Sequence, residues 1–146
     1  MNEEQIADTM RGFVKAMADG DVETTLGYFD NDAVYTDPYG TYVGKAGIRQ
    51  ELTGMARNIK DMKVEESGNG IIAKGDRAFF EHVLSGHYHG KHFEMLAVCA
   101  YEFRGDKIHR VRSVYDRLLV AKETASGWPA RPMVNTVVRQ TEKAMR

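Results

Sequence analysis

Apolar and polar side chains alternate through residues 77–104, in two stretches that flank a short polar segment around Gly90. A period of two is typical of β-strands, so this segment is predicted to be a long hairpin. Glycine suits the first central position of a type II′ turn, which favours Gly90-Lys91 as the loop. That register places His82 opposite Cys99. Because register fixes which side chains share a face, we expect the large aromatic face to line an interior.

The opposite face of the hairpin has a small apolar centre rimmed by charged residues. The members of this centre are Val83, Ser85, Leu96, Val98 and Ala100. A contiguous apolar surface of this kind is unfavourable in water and marks an interaction site. We therefore expect a homodimer that forms through the outer face of the sheet.

Apolar residues recur with helical spacing in four segments outside the hairpin. The predicted helices cover residues 3–18, a short stretch after Asp21, residues 44–59, and residues from about 132 to 145. Asn2 and Asp21 suit N-caps, and Gly20 suits the end of the first helix. The apolar side of the last helix comprises Met133, Val134, Val137, Val138 and Met145.

Shorter segments predict further strands, at residues 33–36, 62–67, 70–74 and 107–120, with the second and third forming a pair. Asp37 should end the first of them, because a residue before proline is pushed towards extended geometry. Helices followed by a meander of strands predict an α+β fold. The expected architecture is a cone-shaped, strongly curved antiparallel β-sheet with N-terminal helices closing a pocket, a cystatin-like α+β barrel.

Composition restricts the class of protein without indicating a reaction. The chain has 146 residues, of which 42% are hydrophobic and 28% charged, as in an ordinary globular domain. We expect residues 1–146 to form a single domain, with 121–146 as a C-terminal loop and helix extension. The formal charge of −1 gives no electrostatic reason to expect a nucleic acid or membrane partner. One cysteine and a start unlike a signal peptide favour the cytoplasm.

Two stretches of the chain resemble a known superfamily. They are FVKAMADGDVETTLGYFDNDAVYTDPYGTYVGKAGIRQEL at residues 13–52 and GDKIHRVRSVYD at residues 105–116. Both are similar to nuclear transport factor 2-like proteins, in particular to ketosteroid isomerases, SnoaL-like polyketide cyclases and limonene-epoxide hydrolases. The resemblance covers about residues 3–120 and implies one SnoaL-like domain with a deep apolar pocket. It is specific for the fold, since this superfold carries many different reactions.

The resemblance also implies roles for individual positions. Asp37 matches the general base of the isomerases and the Asn of the cyclases, whereas Phe13 stands where the isomerases have their oxyanion-hole Tyr. Cys99 stands at the position of the isomerases' protonated Asp and the cyclases' His. Ser113 stands at the position of the catalytic Asp of cyclases and epoxide hydrolases. No member's catalytic set is therefore complete in this chain.

Asp37 and His82 are the candidate catalytic residues. A carboxylate at the mouth of an apolar pocket suits a general base, because desolvation makes it more basic. The alternative for Asp37 is an Asx-turn, in which the carboxylate only binds its own backbone. A buried imidazole exchanges protons when neutral, but it also occurs as a core histidine bonded to a neighbour. By the resemblance, His82 falls near a catalytic Asp of the epoxide hydrolases and Phe80 near their Arg.

Two further groups of residues suggest other kinds of site, a nucleophilic pair and a metal site. Cys99 opposite His82 would suit a nucleophilic Cys–His pair, but buried cysteine is usually a small hydrophobe and no oxyanion hole is evident. His87, His89 and His92 at the hairpin tip suggest a metal site, although solvated side chains explain such a tip equally simply. We expect neither a metal nor a cofactor.

The phase of the last strand has two readings. A bulge near Gly105 would turn Val111, Ser113 and Tyr115 inward, as the resemblance implies. A strict two-residue turn would instead turn Arg112 and Asp116 into the pocket. We favour the bulged form.

Together these observations predict a cofactor-independent enzyme of general acid–base type. Its substrate would be an apolar carbonyl compound such as a polyketide, steroid or terpenoid, and its reaction isomerisation, elimination or aldol-type cyclisation. The residues expected to bind the substrate are Phe13, Tyr35, Phe80, Leu84, Met95, Cys99, Tyr101, Ser113 and Tyr115. The alternatives are a non-catalytic ligand-binding protein and an epoxide hydrolase with a rearranged acid–base set.

Overall fold

The structure is a computed structural model and describes residues 1–144 of the chain. Its elements in chain order are α1 (Glu3–Ala18), α2 (Val22–Gly27), β1 (Phe29–Asp37), β2 (Gly40–Val43), α3 (Gly44–Asn58), β3 (Ile59–Lys74), β4 (Arg77–Tyr88), β5 (Lys91–Arg104), β6 (Lys107–Tyr115), α4 (Arg117–Thr124) and α5 (Ala130–Ala144). The strands form one curved, unclosed sheet in the order β2-β1-β6-β5-β4-β3. β1 and β6 pair in parallel, and the other neighbours are antiparallel. The predicted α+β class is confirmed.

The helix boundaries follow from the caps that the sequence supplies. Asn2 accepts a hydrogen bond from the Gln5 amide, and the Gln5 side chain accepts one from the Asn2 amide, both at 2.8 Å. This reciprocal capping box starts α1. Asp21 likewise caps α2 by accepting from the Thr24 amide at 3.0 Å. The predicted position Met145 in the last helix lies outside the described residues. Across residues 1–144, no helix is long and apolar enough to cross a membrane.

The core lies between the helices and the concave face of the sheet. α1 buries one stripe of apolar side chains there, while β4 and β5 bury alternate residues on the same side. The largest fully buried side chains are Phe13, Phe29, Phe93, Ile6, Met10, Ile48 and Ile108. This arrangement confirms the predicted inner face of the hairpin.

The hairpin turn is one residue earlier than predicted. Tyr88 pairs with Lys91, so that His89 and Gly90 form the loop. Their φ angles are 50° and 74°, both in the left-handed region that a type I′ turn requires. The prediction of Gly90-Lys91 was wrong because glycine also suits the second central position, where a type I′ turn needs it.

The corrected turn shifts each cross-strand pair by two residues, so the buried and exposed faces stay as predicted. The partners change, however: Phe80 stands opposite Cys99, and His82 stands opposite Ala97. The predicted pairing of His82 with Cys99 is therefore wrong.

Three other strand predictions need correction. Residues 62–67 and 70–74 do not pair with each other, since both belong to β3 and both pair with β4. Gly68 lies between the two segments and Gly70 begins the second, with φ of 55° and 59°, in an irregular stretch of the ladder. The first strand is longer than predicted, and β2 beside it was missed. β6 ends at Tyr115 and does not reach Val120.

A helix replaces the last part of the predicted final strand. The Asp116 carboxylate accepts hydrogen bonds from the amides of Leu118 and Leu119 at 2.8 and 3.1 Å, which caps α4. Upstream, the β5–β6 ladder shifts register between Glu102 and Phe103. This bulge turns Val111 inward, where it is buried, so the favoured phase is confirmed.

Candidate active site

A cavity of about 560 Å³ lies between the concave face of the sheet and helices α1, α3 and α4. Its wall brings together most of the residues that the sequence suggested. These are Phe13, Tyr35, Asp37, His82, Leu84, Met95, Cys99, Tyr101, Ser113 and Tyr115. Phe80 is not part of the wall; it is buried and stacks on the His82 ring.

Asp37 ends β1 and contributes to the cavity wall while being 9% exposed. Its Oδ1 accepts hydrogen bonds from the amides of Tyr39 and Gly40 at 2.8 and 3.0 Å. The residue thus forms the Asx-turn that was considered as an alternative and lines the cavity as well. Because both amides bind Oδ1, Oδ2 is the oxygen that can take a proton, and the turn fixes the carboxylate's orientation.

His82 is 6% exposed and lies on β4 among aromatic residues. Its ring stacks on Phe80 with 4.4 Å between centroids and 23° between planes. Nδ1 lies 3.3 Å from the Phe80 carbonyl oxygen. A carbonyl can only accept, so Nδ1 carries the hydrogen and Nε2 of the neutral ring is an acceptor. Burial lowers the pKa of His82, which favours this neutral form.

This tautomer restricts what His82 can do. A neutral imidazole with an acceptor Nε2 takes a proton or binds a hydroxyl group, but it does not donate to a carbonyl oxygen. Hydrogen-bond donors for a carbonyl must come from other side chains of the cavity. The phenols supply them: burial raises the pKa of Tyr35, Tyr101 and Tyr115, which stay protonated.

Cys99 belongs to a chain of hydroxyl and thiol groups on the sheet side of the cavity. Its Sγ lies 2.9 Å from Ser113 Oγ, which lies 3.4 Å from the Tyr35 hydroxyl. Burial raises the pKa of the thiol to about 11. A protonated thiol is a poor nucleophile. With His82 opposite Ala97, the geometry does not support a Cys–His pair.

Glu51 is a cavity residue that the sequence reading missed. It lies on α3, three residues after buried Ile48 and four before Met55, and it lines the cavity with Asp37. Burial raises the pKa of Glu51, a hydrogen bond with Tyr42 opposes the rise, and the charge and hydrogen bonding of Asp37 add to it. The sequence feature that could have indicated Glu51 is its position on the apolar side of a predicted helix.

α4 forms part of the cavity wall and contributes Arg117, Val120, Ala121 and Thr124 to it. The Arg117 guanidinium lies over the Tyr39 ring, and its Nη1 donates to the Pro38 carbonyl oxygen at 2.8 Å. The sequence reading missed this helix because it continued the final strand through these positions.

The histidines at the hairpin tip lie away from the cavity wall. The rings of His87 and His92 meet edge to face with 5.6 Å between centroids, and His87 Nδ1 lies 3.3 Å from Asp61 Oδ2. Within residues 1–144, the three side chains that could share a metal ion are Asp30, Asp32 and His109. Arg104 forms hydrogen bonds with Asp32 and His109, both at 2.8 Å. The positive charge near this group is therefore already supplied by a guanidinium.

Comparison with known proteins identifies the fold. Residues 10–111 match the sequence profile of the SnoaL-like domain, and no curated protein matches the chain. A Catenulispora acidiphila protein with a ketosteroid isomerase-like fold, solved with trimethylamine, is 22% identical with a TM-score of 0.74 over 84% of this chain and 94% of its own.

Two further solved structures share the fold. An LEH-like epoxide hydrolase of M. tuberculosis is 17% identical with a TM-score of 0.72 over 94% of this chain and 98% of its own. TerC, co-crystallised with polyporic acid, is 19% identical with a TM-score of 0.70 over 80% and 95%. At these identities the likeness establishes the fold alone.

Proposed function

Since the chain belongs to the SnoaL-like domain family, we propose that it is a cofactor-independent enzyme that transfers protons on a small apolar carbonyl compound. A polyketide, steroid or terpenoid would suit the cavity, and the reaction would be isomerisation, elimination or aldol-type cyclisation. The observation that carries this proposal is the placement of Asp37, a nearly buried carboxylate held by two backbone amides in the wall of a largely apolar cavity. Such a site favours a general base.

In this reaction, Asp37 Oδ2 takes a proton from the carbon next to the substrate's carbonyl group. Negative charge then develops on the carbonyl oxygen, and a protonated phenol such as Tyr101 or Tyr115 donates a hydrogen bond to it. His82 accepts the abstracted proton from Asp37 through Nε2 and returns it to the substrate. His82 therefore acts as a relay, and the phenols take the carbonyl-polarising role.

Hydrogen–deuterium exchange at the α-carbon of small ketones and enones, followed by NMR, tests the base directly. Asp37→Asn keeps Oδ1 as an acceptor for the two amides but cannot take a proton. We expect exchange to fall by about 100-fold or more, the size of a general-base contribution, while ligand binding and melting temperature are retained. Asp76→Asn, an exposed aspartate at the β3–β4 turn, is the matched control. Unchanged exchange in Asp37→Asn would refute the assignment.

The two alternatives give different results in the same assay. A binding protein would retain the ketones without exchanging their α-hydrogens, and Phe13 in place of a phenol favours this alternative. An epoxide hydrolase would convert small epoxides to diols while leaving the ketones unchanged. The paired carboxyl groups of Asp37 and Glu51 favour that alternative, since epoxide opening needs both an acid and a base.

The proposal extends to a homodimer that forms through the outer face of the sheet. Large apolar side chains are exposed there, namely Ile72, Phe79, Leu96, Val98 and Val114. Their burial against a second copy would remove apolar surface from water. We place the enzyme in the cytoplasm, where the thiol of Cys99 would stay reduced.

A further inference from the structure

The polar side of the cavity contains two carboxyl groups whose backbones are held in fixed relation. Asp37 ends β1, and β2 returns beside it, with Asp37 paired to Gly40 and Tyr35 paired to Tyr42. α3 begins directly after β2 and carries Glu51 on the side that faces the cavity. A short strand and the first two turns of a helix therefore position Glu51 relative to Asp37.

The two carboxyl groups have different surroundings. Asp37 accepts hydrogen bonds from two backbone N–H groups, both at Oδ1, which hold its carboxylate in place. Glu51 is half-buried on an apolar helix face, with the Tyr42 hydroxyl and the Asp37 carboxylate as its polar neighbours. Burial and the Asp37 charge raise the pKa of Glu51. Two carboxyl groups that line one cavity and have different partners can divide the roles of base and acid between them.

We infer that Glu51 is the catalytic acid of the site and that the reaction is the elimination of water from a β-hydroxy carbonyl compound. This inference rests on the proposed role of Asp37 as the base. Among the proposed reactions of a carbonyl compound, which are isomerisation, elimination and aldol-type cyclisation, elimination of water has the strongest need for both groups, because a hydroxide ion is too poor a leaving group to depart without a proton.

The step balances without a cofactor or another reactant. Asp37 Oδ2 takes the α-proton, the electron pair of that C–H bond forms the new C=C bond, and the C–O bond at the β-carbon breaks. Glu51 gives its proton to the departing oxygen, and water leaves. Asp37 then holds a proton and Glu51 is a carboxylate, so one proton transfer between the two neighbouring carboxyl groups restores the starting state.

The test uses two substrate series, 4-hydroxy-2-ketones with alkyl or phenyl substituents and the same ketones without the hydroxyl group. Enone formation from the first series, followed by ultraviolet absorbance, reports elimination. Deuterium exchange at the α-carbon of the second series reports Asp37 alone. The variants are Glu51→Gln, which keeps the shape but not the acidic proton, and Glu142→Gln, an exposed control on α5.

We expect the full-length protein to form enones, and Glu51→Gln to form them at least about 100-fold more slowly, as for loss of a general acid. Exchange at the α-carbon, which uses Asp37 as the base, should fall much less than enone formation, and an unchanged melting temperature should show that the variant is folded. Enone formation by Glu51→Gln at the full rate would overturn the inference, as would exchange without enone formation in the unmodified protein. Loss of both activities in Glu51→Gln would make it a positioning residue for Asp37 and would also overturn it. If the unmodified protein exchanges no α-hydrogen, the proposed function itself fails.

Discussion

The Arg117 guanidinium lies over the ring of Tyr39, with 4.5 Å from Cζ to the ring centroid. The same side chain donates to the carbonyl oxygen of Pro38, the residue directly after Asp37. One arginine therefore joins α4, which forms part of the cavity wall, to the turn that carries the proposed base. Its position links the placement of α4 with the order of that turn.

Replacing Arg117 with Met should loosen α4. The change removes a cation–π contact and a hydrogen bond, together worth about 1–2 kcal/mol at an exposed site. We expect the backbone amides of residues 117–124 to exchange with solvent about 5–30-fold faster in hydrogen-exchange mass spectrometry. Arg131→Met on α5 is the control, since Arg131 is not part of the cavity wall. Equal exchange in α4 of both variants would show that the contact does not hold the helix.

His82 should make the protein less stable as the pH falls below about 6.5, the ordinary pKa of histidine. Burial lowers the pKa of His82 in the folded state, so between the two pKa values the unfolded chain binds the proton more readily. Stability therefore decreases as the pH falls through that window. Urea unfolding at pH 7.5 and 5 should show a smaller decrease for His82→Gln than for the unmodified protein. Identical decreases would contradict the assigned cause.

Cys99 should be inert in the folded protein. Its pKa of about 11 leaves little thiolate at pH 8, and the side chain is buried. We expect iodoacetamide to alkylate Cys99 slowly in buffer and rapidly in urea, as measured by intact mass. Cys99→Ala should retain α-exchange within about threefold, since a small buried hydrophobe is replaced by another. Rapid alkylation of the folded chain would contradict this and would support a nucleophilic role for Cys99.

The outer face of the sheet should control the oligomeric state. Val98 lies opposite Val114 in the ladder, and both side chains are exposed. Val98→Glu would bury a charge in the proposed interface, which costs several kcal/mol without a partner charge. Sedimentation velocity should show a dimer for the unmodified protein and a monomer for the variant. The control is Val43→Glu, at an exposed valine on edge strand β2, which should remain dimeric. If the unmodified protein is a monomer, the proposed dimer is refuted.

Local patterns predicted the parts of the fold that local chemistry determines. The Asn2 and Asp21 caps, the buried side of the hairpin and the end of β1 at Asp37 depend on neighbours within a few residues. The turn at His89-Gly90 was misplaced because two turn types use the same glycine at different positions. α4 was missed because β-branched and aromatic residues before Asp116 favoured a continued strand.

Sequence patterns predicted some residues of the candidate site and missed others, because such patterns report only on local structure. Asp37 was found through the resemblance of its turn to that of the isomerases, and His82 was found because a strand period places it on the inner face of the hairpin. Glu51 was not, because an acidic residue in an otherwise amphipathic helix is usually solvated, and only the packing of α3 against β1 and β2 directs it to the cavity. Register errors affect chemistry more than fold, since a shift of two residues kept each face but changed the neighbour of Cys99.

The parallel pairing of β1 with β6 has a consequence for how the protein folds. Tyr35 pairs with Val111, across about half of the chain, whereas β3 to β6 pair with their nearest neighbours in sequence. Pairings between distant segments close large loops and form slowly. We therefore expect the β3–β6 meander to form first and β1 to dock onto it later. Because β1 carries Asp37 and the meander carries His82, the cavity acquires its proposed base only when that last ladder closes.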